Sequence, residues 1–530
     1  MRPMIGGRGT GRLRRAGPLL AILAVAAALR LVALSRFPPA HYRDVAITAL
    51  DALRAASGHP CLHYQFDEGL FANLMGLLFL VAGAGDVTVR LLGACAGIAG
   101  CYGVARLGRA LGMERAGLFG AGFLAVSLWH VILSRSGFRA ILLPTLLAFA
   151  MAALVEALRS GDDGRFRRFL VAGALFGLLV HTYPSSRVAP LLLPPYLLAE
   201  IGVSRSAWRR ALPGLLVFFG AAGVVAAPML LHYLHHPTDF NNPHRIVSVF
   251  SPGLGPGEAT AHLKHNIAAT LLMFHVRGDA NWRHNIAGSP MLDPLTGLLF
   301  LGGLAAACAL LAGGGAALGV GRPRAASVLL LAWIPAMLLP NLLSVEGVPH
   351  GLRSAGALPA VVLLAGLAAS FMVDRARARL SFDDRRAGAA GLAALLVLAA
   401  ICSWRYGVVW GGRPEVFREH DGAYRAAARA LLTAPPGAER FLVANGSGFR
   451  VHGWPAEAAC YRFEMRRSPP VILGSKDAAR LALDGRTAFV ALIAADPKVI
   501  EVIRTLNPGA PITAIAAPGI APESPVYRVN

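Results

Sequence analysis

The chain has 530 residues, 55% of them apolar, and a formal charge of +22. Its mean hydropathy of +0.55 excludes an ordinary soluble protein, because apolar runs of spanning length recur from residue 17 to residue 411. The charge comes almost wholly from arginine, Lys264, Lys476 and Lys498 being the only lysines. These arginines fall in short connections between apolar runs, which is the positive-inside pattern of a membrane protein and not a nucleic-acid footprint.

In chain order, Arg2, Arg8, Arg12, Arg14 and Arg15 precede an apolar run over 17–35. This reads as a retained signal-anchor with the N-terminus in the cytoplasm. Arg30, late in that run, is expected to snorkel toward the outer face. The next stretch, 36–86, carries Asp44, Asp51, Asp67 and Glu68. Asp51 is expected to form a cap or surface pair with Arg54 or Arg43. The apolar piece Gly69–Gly83, at about 15 residues, is short for a span. Counting it as one places Arg106, Arg109, Arg115 and Arg159 outside; a helix lying in the outer interface keeps them inside.

The remaining spans fall near 87–106, 117–134, 139–158, 168–182, 186–203, 211–231, 292–317, 325–343, 354–373 and 388–411. That makes about eleven spans, with the C-terminus outside. The outer face then gathers 36–86, SRSGFR at 134–139, HTYPSSR at 181–187, the long segment 232–291 and SVEGVPHGLR at 344–353. Arg135 and Arg139 stand on the outer side against the charge trend, and such charges are candidate functional groups.

After Arg413 the composition changes. An amphipathic helix before FLVA, a buried run TAFVALIA, a helix PKVIEVIRTLN and a strand PITAIAAP predict a small extracytoplasmic α/β domain over 412–530. It has no phosphate-loop or dinucleotide fingerprint. The six cysteines show no zinc spacing, and a Cys61–Cys460 disulfide is not expected. The histidines of HYLHH, His232, His235 and His236, lack a carboxylate at helical spacing, so no metal and no cofactor are expected.

Carboxylates at a membrane interface among Arg, His and Tyr suit one chemistry in particular. An acid accepts the proton of a hydroxyl nucleophile, and arginines hold the charge of a departing phosphate. Together they describe sugar transfer from a lipid phosphate.

The run PPAHYRDVAITALDALRAASGHP resembles the first outer loop of bacterial GT-C glycosyltransferases of the family 39 type, relatives of protein O-mannosyltransferases and the lipid A aminoarabinose transferase. Their pattern is P-x-x-x-x-D-E-A, then DALR, G-HP and a G-R-E-P-L-F element. Asp44 and Ala46 match the D-E-A element, Asp51 to Arg54 the DALR run, and Glu68 with Leu70 and Phe71 the E-P-L-F element. The likeness continues in SLWHVILSRSGFRAILLP, HTYPSSR, GDANWRHNIAGSPMLDPLTGLLFLGGL and WIPAMLLPNLLSVEGVPHGLRSAGALP, along the whole membrane part.

The resemblance implies a mainly α, polytopic GT-C membrane protein (1–411) in the bacterial cytoplasmic (inner) membrane, with the α/β domain outside. It implies a glycosyltransferase with a polyprenyl-phosphate sugar as donor, a glycan, lipid or protein as acceptor, and inversion at the anomeric carbon. Asp44 is implied as the catalytic base. Glu68, Arg135, Arg139, Tyr183, Arg187, Arg283, His284, Asn285 and Arg353 are the candidates for substrate binding. Two departures stand out: Val45 replaces the glutamate after the aspartate, and Asp67-Glu68-Gly69 replaces Arg-Glu-Pro. A polyprenyl-linked glycan transporter and an inactive relative that binds lipid-linked sugar are the alternatives.

Overall fold

A computed structural model describes residues 8–65, 67–241, 248–251, 255, 257–313, 322–380, 384–447 and 449–530. Arg2, parts of the long segment (242–247, 252–254 and 256) and the end of the 292–317 span lie outside the described residues. The contacts divide the chain into two units. One comprises Met1–Leu34, Glu68–Phe71 and Arg90–Trp410; the other comprises Ser35–Asp67, Ala72–Val89 and Gly411–Asn530. The first loop therefore clusters with the C-terminal residues, although the sequence sets it among the spans.

In the first unit, each predicted span contains helix among the described residues. Among the described residues, seven helices are long and apolar enough to cross a membrane, and a bent pair makes up to eight. The seven include α4 (Asp86–Ala110), the Arg139–Arg159 span containing α7 (Leu142–Arg159), and α10 (Arg205–His235). The remaining predicted spans correspond to α1 (Arg8–Leu31), to α8 (Arg165–Leu178) with a 3-10 turn, and to a 3-10 helix (Pro184–Leu192) running into α9 (Leu193–Ile201). Burial grades across the set. Over their most apolar stretches, 78% of the residues are buried in Ala355–Arg379 and in Arg139–Arg159, against 6% in Arg386–Trp410. Helices α8 and α10 pack through Gly173 and Gly177, where a Cβ would strike the carbonyls of Phe218 and Ala222. Small residues four apart allow this backbone approach in membrane helices.

The bent pair is α5 (Glu114–Val126) and α6 (Leu128–Arg135), which meet at 60°. The break at Ser127 leaves the last carbonyls of α5 without intrahelical donors. Arg30 supplies them. Its guanidinium donates to Ala125 O at 2.9 Å, Leu124 O at 3.1 Å and His130 Nδ1 at 2.7 Å. This corrects the snorkelling expectation, for Arg30 is fully buried; the orphaned carbonyls are a closer partner than the interface. Replacing Arg30 by Met leaves these acceptors unsatisfied at roughly 1–3 kcal/mol each. The expected result is a melting temperature lower by several degrees in detergent; an unchanged melting curve contradicts the role.

In the second unit, α2 (Arg43–Ala56) buries Val45, Ala46, Ile47, Thr48, Ala49, Asp51 and Ala52, a run that takes in most of the helix circumference. Helix α3 (Leu70–Ala82) packs on it at Gly76, whose Cβ would lie 2.8 Å from Ala52 O. With 13 residues, α3 is about 20 Å long, too short to span. It leaves Leu77, Leu80 and Val81 exposed, the kind of face an interfacial helix gives to lipid.

The C-terminal residues build a five-stranded sheet in the order β4-β1-β5-β7-β6. The strands are β1 (Glu439–Val443), β4 (Val471–Leu473), β5 (Ala488–Leu492), β6 (Ile512–Ala514) and β7 (Val526–Val529), with a short hairpin of β2 (Arg450–Val451) and β3 (Trp454–Pro455). β1 pairs parallel to β4 and β5, while β7 runs antiparallel to β5 and β6. Both faces are covered. Leu442, Phe489 and Ala491 pack with Leu431 and Tyr461; Phe441, Val443, Val490 and Leu492 pack with Val499 and Ile503. Burial on both sides explains why β5 is a continuous apolar run. The expected helices and strands of this region are present, the sheet gains β4 and β7, and β2 and β3 form a separate hairpin.

Candidate functional site

In the first unit, four of the predicted site residues meet around one carboxylate. Glu68, 3% exposed, receives Arg139 Nε at 3.3 Å on Oε2. Its Oε1 accepts the Tyr233 hydroxyl at 3.3 Å and has Arg187 Nη2 at 3.8 Å. Arg187 also donates to Tyr233 Oη at 3.2 Å and to Phe240 O at 3.0 Å. The ring of Phe240 lies 4.2 Å from the Arg187 guanidinium carbon and that of Tyr233 5.1 Å from it. Arg139 lies over Tyr183 at 5.2 Å. Two guanidinium groups are thus oriented by aromatic faces and one shared acid.

Local geometry explains the convergence. Gly137 has φ +82°, a left-handed residue that ends α6 and turns the chain into the 3-10 turn Arg139–Ile141. Arg139 thereby opens one candidate span, while Tyr233 stands near the end of α10, another. Arg187 comes from the 3-10 helix Pro184–Leu192. Tyr233 was missed in the sequence because it sits in HYLHH, where the histidines draw attention. His232 there has a carboxylate after all: its Nε2 lies 2.9 Å from Asp239 Oδ2. His235 bonds Leu231 O at 2.7 Å.

Arg135 does not join the group. It is 2% exposed and donates to Leu29 O at 2.8 Å and Ala33 O at 2.9 Å, with its guanidinium 4.8 Å from the Tyr406 ring. It braces the end of α1.

A second group in the same unit contains Arg283, His284 and Asn285. His284 Nδ1 lies 2.8 Å from Asp279 Oδ2. Asp279 also accepts from Gly351 N at 2.7 Å and Asn281 N at 2.8 Å. Asn285 closes the turn through Ser289 O at 2.6 Å, and Arg283 Nε bonds Asn281 Oδ1 at 3.0 Å. The His350 ring lies 4.6 Å from that of His284. Burial holds both imidazoles below their ordinary range, His350 well below it, so both are neutral at pH 7. A neutral His284 facing a carboxylate donates through Nδ1, which fixes its tautomer. Arg353 reaches Glu346 O at 2.8 Å.

One donor atom each from Asp279, His284 and His350 lies within 4.8 Å of the others, a spacing a cation can use. The 2.8 Å contact is a hydrogen-bond length, and both carboxylate oxygens also accept backbone N–H groups. Asp279 therefore orients the imidazole. The two groups share one strip of chain: the Phe138 ring lies 5.7 Å from His284, and its neighbour Arg139 bonds Glu68. Asp279 and His350 were also missed; the dense run GDANWRHN was the available signal.

In the second unit, Asp44 lies in the first turn of α2 and is exposed, while Val45 is buried at 1%. The valine that replaces the expected acid is a packing residue. Asp51 is not the surface pair expected. It is 3% exposed, and burial, reinforced by the Asp67 charge, pushes its carboxyl up to about 7. His452 Nε2 lies 3.6 Å away, and burial with nearby Arg462 and Arg54 lowers that imidazole. These opposite shifts favour the neutral form of each group, so the contact is weaker than an ion pair.

A carboxyl raised in the fold keeps its proton while the unfolded chain has lost it. Stability therefore falls as pH rises from about 4 to about 7. Asp51→Asn is expected to remove that slope and to be the more stable protein at pH 8 by roughly 1–3 kcal/mol. Parallel unfolding curves for the two proteins across this range contradict it.

Seven to eight candidate spans among the described residues, a broken helix and an α/β sheet define the class: this is a polytopic membrane protein of GT-C fold. Residues 70–232 match the family model described as dolichyl-phosphate-mannose-protein mannosyltransferase. The structure is similar to ArnT from Cupriavidus metallidurans bound to undecaprenyl phosphate, with TM-score 0.56 and 14% identity over 97% of this chain and 98% of that one. It is also similar to the Archaeoglobus fulgidus oligosaccharyltransferase in the apo form, with TM-score 0.52 and 12% identity over 96% and 70%. At these identities the likeness is one of fold. No curated protein matches the sequence. The resemblance to GT-C glycosyltransferases read from the first outer loop onward is thus met again in the family model and the fold.

Proposed function

We propose that this protein is a membrane glycosyltransferase that moves one sugar from a polyprenyl-phosphate donor to an acceptor at the outer face of the cytoplasmic membrane, inverting the anomeric carbon. The observation that carries the reading is the convergence of Arg139, Arg187 and Tyr233 on Glu68 at the ends of two candidate spans. A phosphate attached to a lipid tail lies at such a depth. Arginine forks suit its oxygens, and the shared carboxylate keeps the forks oriented.

In the reaction, Asp44 accepts the proton of the acceptor hydroxyl or amine. The acceptor atom bonds to the anomeric carbon as the bond from that carbon to the phosphate oxygen breaks. The electron pair stays on polyprenyl phosphate, whose charge Arg139 and Arg187 stabilise. In this reading the Asp279–His284 group contacts sugar hydroxyls, a role supported by a neutral imidazole of fixed tautomer, which presents a defined hydrogen-bonding edge. In this reading the N-terminus is cytoplasmic and the C-terminal domain extracytoplasmic, an orientation the arginine distribution supports.

The broken span favours a second reading, a glycan transporter, because transporters bind cargo at such breaks. Here Arg30 fills the break, which speaks for a packed bend. Incubation of reconstituted protein with polyprenyl-phosphate sugars and membrane extract tests the choice. Release of free polyprenyl phosphate supports transfer; movement of intact donor across the bilayer supports transport.

A further inference from the structure

The proposed function leaves the C-terminal α/β domain without a task, and the second unit supplies one. The first turn of α2 has no local cap, for the Tyr42 side chain bonds none of its amides. The missing acceptor comes from far along the chain. Asp421 Oδ2 accepts from the Arg43 backbone N–H at 2.8 Å and from Arg43 Nε at 3.0 Å. Asp421 Oδ1 accepts from Arg43 Nη2 at 2.7 Å, and Glu457 takes Nη1. Burial alone lowers a guanidinium's pKa, but the Asp421 bonds and the Glu457 charge outweigh it and hold Arg43 above its ordinary value.

Asp421 is 5% exposed, has φ +56° and immediately precedes the helix Gly422–Leu432. Its carboxylate is therefore fixed by the backbone of the domain. Neighbouring contacts hold the approach to α2. Arg425 donates to Pro39 O at 2.9 Å and pairs with Asp86, which also bonds His41 Nε2 at 2.9 Å. Beyond α2, Gln65 accepts from His452 N at 2.8 Å.

We propose that the C-terminal domain is a positioning clamp for Asp44, acting through the Arg43–Asp421–Glu457 contact. This rests on the reading of Asp44 as base. Arg43 and Asp44 are consecutive, so fixing the amide and guanidinium of the first fixes the backbone from which the second projects. A base displaced by about 1 Å loses on the order of 100-fold in rate, so an exposed carboxylate at a helix start needs such support.

The test uses the full chain in lipid, as wild type, Asp421→Ala, Asp421→Asn and Glu457→Gln. Hydrogen exchange is read over 43–47 and over β1 and β5, with turnover of a polyprenyl-phosphate sugar panel read alongside. Loss of the cap in Asp421→Ala is expected to speed exchange over 43–47 by about tenfold, with β1 and β5 unchanged. The kcat falls at least roughly tenfold while KM for donor stays within about twofold, because donor binding is not what the clamp serves. Asp421→Asn, which keeps an acceptor, falls between, and Glu457→Gln shows the same direction in a variant that retains Asp421. Unchanged exchange in both Asp421→Ala and Glu457→Gln overturns the clamp. Faster exchange with unchanged kcat reduces it to a structural contact and overturns the positioning role. Absence of wild-type turnover sinks the transferase reading and the positioning role with it, while the exchange arm still decides whether Asp421 holds the helix.

Discussion

Asp44→Asn is expected to lower transfer by at least about 100-fold, the low end of what removal of a general base costs. Asparagine keeps the shape and the hydrogen-bond acceptor but cannot take a proton at neutral pH. Asp44 is exposed and its neighbour Val45 carries the packing, so the substitution leaves the fold in place. A melting curve matching wild type, together with lost turnover and retained donor binding, is the expected pattern. If donor binding is lost as well, Asp44 serves recognition and the base lies elsewhere.

The second large effect is expected at the arginines around Glu68. Arg187→Ala removes a guanidinium packed against the rings of Tyr233 and Phe240, and Arg139→Ala removes the partner of Glu68 Oε2. A charge-assisted hydrogen bond is worth roughly 1.5–3 kcal/mol, so each change is expected to weaken donor use by about 10–100-fold in kcat/KM. Arg187→Lys is expected to recover little, because an ammonium has no planar fork to lie against these rings. Steady-state kinetics with varied donor reads both effects; a full rescue by lysine would mean that charge alone matters there.

These expectations show where the sequence was informative. Period and length located the apolar segments, and the charge rule kept Gly69–Gly83 out of the spans; α3 proved to be a 13-residue helix with an exposed apolar face. The family pattern pointed to Glu68, and the outer loops pointed to Arg139 by its charge and to Tyr183 and Arg187 by their place; the fold brings the four together. Sequence alone treats Arg135 and Arg139 alike. Four residues apart, they would share a face on a continuous helix, but the left-handed turn at Gly137 sends them to different partners.

The break at Ser127 carries no proline or glycine, so nothing in the run FLAVSLWHVILS announces it. Its stabiliser, Arg30, is 95 residues from Ala125 in the chain. Arg43 and Asp421 are separated by 378 residues, and a contact of that span leaves no local pattern. β2 and β3 have two residues each, too few for alternation to be read.

The most direct measurement incubates purified, lipid-reconstituted protein with a panel of polyprenyl-phosphate sugars and membrane extract, and follows release of free polyprenyl phosphate. The account predicts release by wild type and none by Asp44→Asn, with both proteins still binding donor. Equal release by the two contradicts Asp44 as base. Donor binding without release by either contradicts transfer itself and leaves a protein that holds lipid-linked sugar without consuming it.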